Sequence, residues 1–170
     1  VPFTGKVTGD EQGSFKNGKK DGPWVKYYDN RGIVFDEKNF SRLHSKGTYK
    51  NGLKDGTWFS YLNSSGQQVL QKIETYKDGE KDGPWVRYLC CGTTVFEKGT
   101  YENGLKDGPW IRYHNNGQLS EKGTFKNDKR NGPWVYYRKD GNLEAKGTYK
   151  DGEEIGDWNR PPCWGANCSR

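Results

Sequence analysis

Methionine is absent from this chain, histidine occurs only twice, and just 30% of the residues are hydrophobic. No stretch approaches the ~20 apolar residues that a membrane-spanning helix requires. At 170 residues the chain has the length of one domain, yet its mean hydropathy is −1.18. Globular domains are nearly half apolar, so a chain this polar would be expected to be disordered. The rest of the composition points the other way. Aromatics make up 15% of the residues, with seven Trp and eleven Tyr, and glycine accounts for 24 positions. Large rings bury enough area to drive ordering, so the composition implies a thin, extended structure whose small core is built from rings.

A block of like charge is missing as well. Lysine and arginine total 28 against 22 acids, for a net charge of +6. The signs interleave throughout, as in Lys54-Asp55, Glu80-Lys81-Asp82 and Lys106-Asp107. That pattern describes a solvated surface and argues against nucleic acid as a partner. Catalytic signatures are lacking too: there is no phosphate-cradling loop, nucleophile elbow or paired zinc-ligand spacing. His44 and His114 have no partners at ligand spacing and read as surface histidines. Asp21, Asp55, Asp82 and Asp107 recur in register, followed by Asn131 and Ile155. Calcium needs six or more converging oxygens, so these aspartates read as turn formers. No catalytic residue, metal site or cofactor is expected, and the chain is not expected to be an enzyme.

What the sequence has is a repeat. Six segments place an aromatic, a Gly three positions on, a Gly seven on and a Trp nine on. They are Phe15-Gly18-Gly22-Trp24, Tyr49-Gly52-Gly56-Trp58, Tyr76-Gly79-Gly83-Trp85, Tyr101-Gly104-Gly108-Trp110, Phe125-Asp128-Gly132-Trp134 and Tyr149-Gly152-Gly156-Trp158. Only Asp128 departs from the glycine pattern. The unit is about 24 residues, with a longer insertion within Arg31–Ser45, expected to be a loop or irregular hairpin, and a shorter one before Trp85.

Pro109-Trp110-Ile111-Arg112-Tyr113-His114 is rich in aromatic and β-branched residues, as strands are. Asn115-Asn116-Gly117 after it favours positive φ and a turn. A second turn is expected between each aromatic and its Trp, including Gly22, Gly56, Gly83, Gly108, Gly132 and Gly156. The expected fold is all-β: an elongated tandem-repeat antiparallel meander with about two strands per unit, roughly twelve strands in all and about 55–60 Å long. Residues 1–12 form an N-terminal partial unit, 13–158 six repeats in one continuous sheet, and 159–170 a Pro/Cys tail.

The Gly-Thr-Tyr-Lys-Asn-Gly-x-x-Asp-Gly-x-Trp units resemble MORN-type repeats, in the bacterial variant found in antitoxin-annotated proteins. The resemblance covers about residues 13–158 and implies a non-catalytic, elongated, twisted antiparallel sheet that binds protein.

Cysteine is scarce but even in number: Cys90 and Cys91 are adjacent, and Cys163 and Cys168 flank the tail. A local Cys163–Cys168 bridge is the default, and the alternative bonds the tail to Cys90 or Cys91 of a neighbouring molecule. An even cysteine count and a start at Val1 without Met point to an extracellular, cell-surface or periplasmic location. Asn39 and Asn63 match glycosylation acceptors. The irregular ends, with Phe3, Val7, Trp158 and Trp164 as candidate contacts, suggest head-to-tail assembly with copies of itself. The alternative is a monomeric binding module of the antitoxin or immunity type, whose partner is a toxin-like protein.

Overall fold

The computed structural model describes residues 2–28, 43–64, 67–89 and 92–162. All four cysteines, Trp164, Asn39 and residues 31–42 of the long insertion lie outside the described residues. The strands are β1 (Gly5–Val7), β2 (Glu11–Lys16), β3 (Lys19–Tyr27), β4 (Leu43–Lys50), β5 (Leu53–Ser64), β6 (Gln67–Lys77) and β7 (Glu80–Tyr88). After them come β8 (Val95–Glu102), β9 (Leu105–Lys106), β10 (Gly108–Tyr113), β11 (Leu119–Lys126), β12 (Lys129–Tyr137), β13 (Leu143–Lys150) and β14 (Glu153–Asn159).

They form one 14-stranded antiparallel sheet in chain order, with β9 and β10 sharing the place beside β8. The expected all-β meander is therefore observed, with β1 and the break at Asp107 accounting for the strands beyond twelve. The end of the long insertion is not loop, because β4 begins at Leu43. The shorter insertion lengthens the β5–β6 hairpin to 12 and 11 residues per strand.

Each unit is a hairpin closed by a tight two-residue turn. In the second unit Lys50 pairs with Leu53, and Asn51 and Gly52 adopt φ of 53° and 88°. Two left-handed residues define a type I′ turn, whose twist matches the strands it joins. Asp128 occupies the same conformation at φ 62°, which its short polar side chain tolerates.

The second glycine of each motif is not a turn residue. Gly22, Gly56, Gly83, Gly108, Gly132 and Gly156 all lie within strands, at a β-bulge. In the fifth unit Lys122 pairs with Val135 but Thr124 pairs with Asn131, so β12 carries two extra residues there. Gly132, at φ 75°, makes that detour.

The bulge tips the following tryptophan over onto the neighbouring strand. A β-carbon added at Gly13, Gly47, Gly99, Gly123 or Gly147 would overlap the indole of Trp24, Trp58, Trp110, Trp134 or Trp158 respectively. The indoles lie directly on bare backbone. Trp24, Trp58 and Trp134 then donate Nε1 hydrogen bonds to the carbonyls of Ser14, Thr48 and Thr124, at 3.2, 3.1 and 3.1 Å. Between the indoles stand the other repeat aromatics, edge to face. Trp24 meets Tyr49 at 5.7 Å, Tyr49 meets Trp58 at 5.0 Å, and the series runs through Trp110, Phe125, Trp134 and Tyr149 to Trp158. Such pairs contribute ~0.5–1.5 kcal/mol each beyond burial.

Successive hairpins are also joined at their turns. The amide of Gly52 donates to Lys20 O at 2.8 Å, and Gly79, Gly104 and Gly152 repeat the contact with Lys54, Lys81 and Arg130. Asp21, Asp82 and Asp107 accept from the turn amides of Asn51, Asn103 and Asn127 in the following unit. The recurring aspartate thus belongs to the next unit's turn. At the first unit Thr4 and Phe3 substitute: Thr4 Oγ1 accepts from Asn17 N, and Phe3 O from Gly18 N. With Gly5 paired to Phe15 as Gly22 is to Tyr49, β1 copies a Trp-bearing strand.

The third unit breaks the ring pattern. Glu74 stands where the other units have the cradle glycine and is buried, held by Lys81 at 2.9 Å and Lys72 at 3.6 Å. Trp85 instead stacks on Trp110 at 5.4 Å and 19°. Trp110 in turn donates Nε1 to Glu97 at 2.8 Å rather than to backbone. Burial raises the Glu74 pKa, but the Lys81 hydrogen bond and the charges of Lys72, Lys81 and Lys54 outweigh it, holding the carboxyl below its ordinary 4.5.

Two measurements test this account. Gly123→Ala forces a methyl into the Trp134 indole and is expected to cost about 1–3 kcal/mol in urea unfolding. Gly132→Ala meets no neighbour but a left-handed φ, and is expected to cost about 1 kcal/mol. For Glu74, a lowered folded pKa means stability present above pH 4.5 and lost as pH falls through the folded value. Glu74→Gln should therefore flatten the acid limb of stability between about pH 3 and pH 5. An unchanged limb would assign acid lability to other carboxylates.

Candidate functional site

One face of the sheet carries the rings, and charges are ordered upon them. The residue five after each aromatic is Lys20, Lys54, Lys81, Lys106 and Arg130 in the first five units. Lys20 lies 4.1 Å from the Trp24 ring centre, Lys54 4.5 Å from Trp58, Lys106 4.3 Å from Trp110 and Arg130 4.7 Å from Trp134. Cations so placed draw on the negative ring faces while their heads reach water.

Four residues before the aromatic stands an acid in the first, fourth and fifth units (Glu11, Glu97 and Glu121), whereas Lys72 and Ala145 hold that place in the third and sixth. Glu11 pairs with Lys20 at 2.7 Å and Lys26 at 3.2 Å. Glu97 pairs with Arg87 at 3.2 Å, and Glu121 with Arg130 at 3.2 Å and Arg112 at 3.7 Å. The hydrogen bond from Lys20, with help from Lys26, lowers the Glu11 pKa. In the second unit the equivalent residue is Ser45, paired across the strands with Ser60 and Lys26.

The small Ser45 lines a cleft of about 230 Å³ between the first and second units. Its floor is Trp24, Tyr49 and Trp58, and its walls include Lys20, Lys26, Lys54 and Glu11. His44 joins them. A register shift opposite Lys26 and Tyr27 inserts His44 beside Ser45, as the equivalent shift sets Phe96 between Arg87 and Arg112. Its Nδ1 lies 3.2 Å from Ser45 Oγ and its ring 4.8 Å from that of Tyr28. Burial, followed by the charges of Lys26, Lys72 and Lys54, holds the imidazole below its ordinary pKa. Burial likewise lowers the Lys54 ammonium; Glu74 opposes this, and Lys72 and Lys81 add to it. Among the described residues no carboxylate pairs with Lys54, although its equivalent Arg130 has Glu121.

The repeat aromatics Phe15, Tyr49, Tyr76, Tyr101, Phe125 and Tyr149 take their places between the indoles as one row. Of the candidate assembly residues, Phe3 is 54% exposed with its edge on Phe15, and Val7 pairs with Gly13. Trp158 lies on Gly147 beneath Arg160, at the opposite margin of the sheet. The structure does not bring these two ends together. His114 donates Nε2–H to the carbonyl oxygen of Tyr137 at 2.8 Å.

Sequence reasoning missed His44 as a cleft residue, since only the bulge turns it to the ring face. It also passed over the cradle glycines and the cation row, though both recur at fixed offsets from the aromatics. Among the described residues no three His, Cys, Asp or Glu converge as a metal site requires, and no helix is long and apolar enough to cross a membrane.

Comparison with protein families agrees with this architecture. Residues 106–127 and 130–151 match the MORN repeat variant, and residues 12–23 match the MORN repeat. No curated protein matches the chain. The first two matches begin 24 residues apart, from 106 to 130, which is the spacing of the fourth, fifth and sixth tryptophans. The chain is a MORN-type repeat protein, a structural or interaction module built from ring-zippered hairpins.

Proposed function

We propose that the chain is a non-catalytic protein-binding module that engages its partner through the ring face, centred on the cleft at Ser45 and Ser60. The observation that carries this reading is that cleft: rings, three ammonium groups and one carboxylate are gathered where the repeat's own acid is replaced by serine. An aromatic floor with charged walls matches the composition of protein-binding hot spots. The back face is different. There Lys46, Lys98, Lys122 and Lys146 are exposed across from single aliphatic or aromatic residues such as Val25, Val86 and Val135.

The outer strands favour a module that acts as one chain over a head-to-tail filament. β14 bears Trp158 and β1 holds the place of a Trp-bearing strand, whereas the Trp-bearing strands β3, β7, β10 and β12 pair onward with a Gly-Thr-aromatic strand and β5 with Glu74-Thr75-Tyr76. Direct contact of β14 with β1 of a second copy would set two like strands side by side, without glycine cradles for Trp158.

A photo-reactive side chain introduced at Ser60 should cross-link the partner in its native milieu, while one at Lys122 on the back face should not. Equal cross-linking from both positions would overturn the assignment of the face. In sedimentation the purified, unreduced protein should run as a single chain. Fibres in that sample would instead support head-to-tail assembly.

A further inference from the structure

We infer that the cleft between the first two repeats is a receptor for a carboxylate side chain of a protein partner, held between Lys26 and Lys54. The assignment rests on the reading of the ring face as the binding face and names the chemical group that face captures.

The array itself supplies the argument, because neighbouring units show what the position accepts. In the fifth unit Glu121 lies between two cations: Arg112 from the preceding hairpin at 3.7 Å and Arg130 from its own at 3.2 Å. In the first unit the equivalent Glu11 takes Lys20 and Lys26. In the fourth, Glu97 takes Arg87 and the Trp110 Nε1. The second unit keeps the cations of this clasp and changes only the acid. Lys26 faces Ser45 across the ladder as Arg112 faces Glu121, and Lys54 occupies the place of Arg130. Across the other strand Ser60 stands where Tyr136 closes the fifth unit, which leaves the clasp open to solvent as the cleft.

A carboxylate entering from outside would meet the arrangement that the chain uses with Glu121 in the fifth unit. The ammonium groups of Lys20, Lys26 and Lys54, the Ser45 hydroxyl, the His44 imidazole and the Glu11 carboxylate are the polar groups at hand. Glu11 is shared by Lys20 and Lys26, and among the described residues no carboxylate pairs with Lys54, so an entering carboxylate would pair with Lys54 and share Lys26. The apolar floor of Trp24 and Trp58 would accommodate the methylenes of a glutamate.

The test is an NMR titration of the His44 ring signals in the full chain, with glutamate blocked at both ends as the probe. Blocked glutamine and inorganic phosphate serve as the comparison probes. Saturable shifts at His44, with a dissociation constant on the order of millimolar, are expected for blocked glutamate and absent for blocked glutamine. A negative group beside His44, otherwise faced by Lys26, Lys54, Lys72 and Glu11, should also raise the imidazole pKa. Lys54→Gln should weaken the response about tenfold. Ser45→Glu supplies the acid of the first, fourth and fifth units, so its His44 should be shifted before any probe is added and should respond to none. Unchanged tryptophan fluorescence would establish that both variants fold.

A response to glutamine equal to that of glutamate, a stronger response to phosphate, or full binding by Ser45→Glu would each overturn the assignment. Should the titration fail while Ser60 still cross-links a partner, the carboxylate receptor falls and the binding face stands. Should the cross-link fail while the titration succeeds, the site is real but serves another ligand.

Discussion

An indole lying flat on a glycine backbone is the contact on which this molecule depends. A single-layer sheet has no second layer against which to bury side chains, so apolar area must be removed from water within one face. The bulge before each tryptophan lays its ring across the adjacent strand, and the glycine beneath removes the β-carbon that would hold it off. Trp110 and Trp134 are the most deeply enclosed side chains, and Trp24 and Trp58 are nearly as well buried. The aromatic of each following hairpin then abuts the indole edge to face, and this carries the core from one unit into the next.

The single exception shows how tightly the contact is coupled to its surroundings. With Glu74 in the cradle position, Trp85 is displaced onto Trp110, and the Trp110 nitrogen finds Glu97 in place of a carbonyl. One substitution thus alters the partners of two tryptophans in two units. Lys72 and Lys81 attend the buried carboxylate, consistent with the rule that a charge taken from water must be paired.

Charge follows the rings rather than competing with them. Cations rest over the indoles, and acids of the neighbouring strand tie them down, so the ring face is covered by its own salt bridges. Such a surface offers little to a partner wherever the series is complete. The series of acids is interrupted at Ser45, Lys72 and Ala145, and Ser45 lies in the cleft between the first and second units. In a repeat protein, function is expected in the departures from the repeat, because the conserved positions are occupied in holding the array together.

Much of this fold was legible from spacing alone. Six copies of an aromatic–Trp motif with Asn-Gly and Asp-Gly turns can form little other than a meander of hairpins, since two left-handed residues in a row forbid helix and select the type I′ turn. The cation row is periodic over five units and the acid recurs in three, and both could be read from the aligned units, Ser45 among them. Two features lay beyond the sequence. The second glycine of each unit reads as a turn residue, and only the strand register reveals it as a bulge that redirects the tryptophan. His44 sits at a position that simple alternation assigns to the back face, and the register shift opposite Lys26 and Tyr27 brings it to the cleft. Residue identity determined the repeat, its turns and its charges. Only the tertiary structure decided which face each ring and cation shares, because a bulge changes facing without leaving a mark on local spacing.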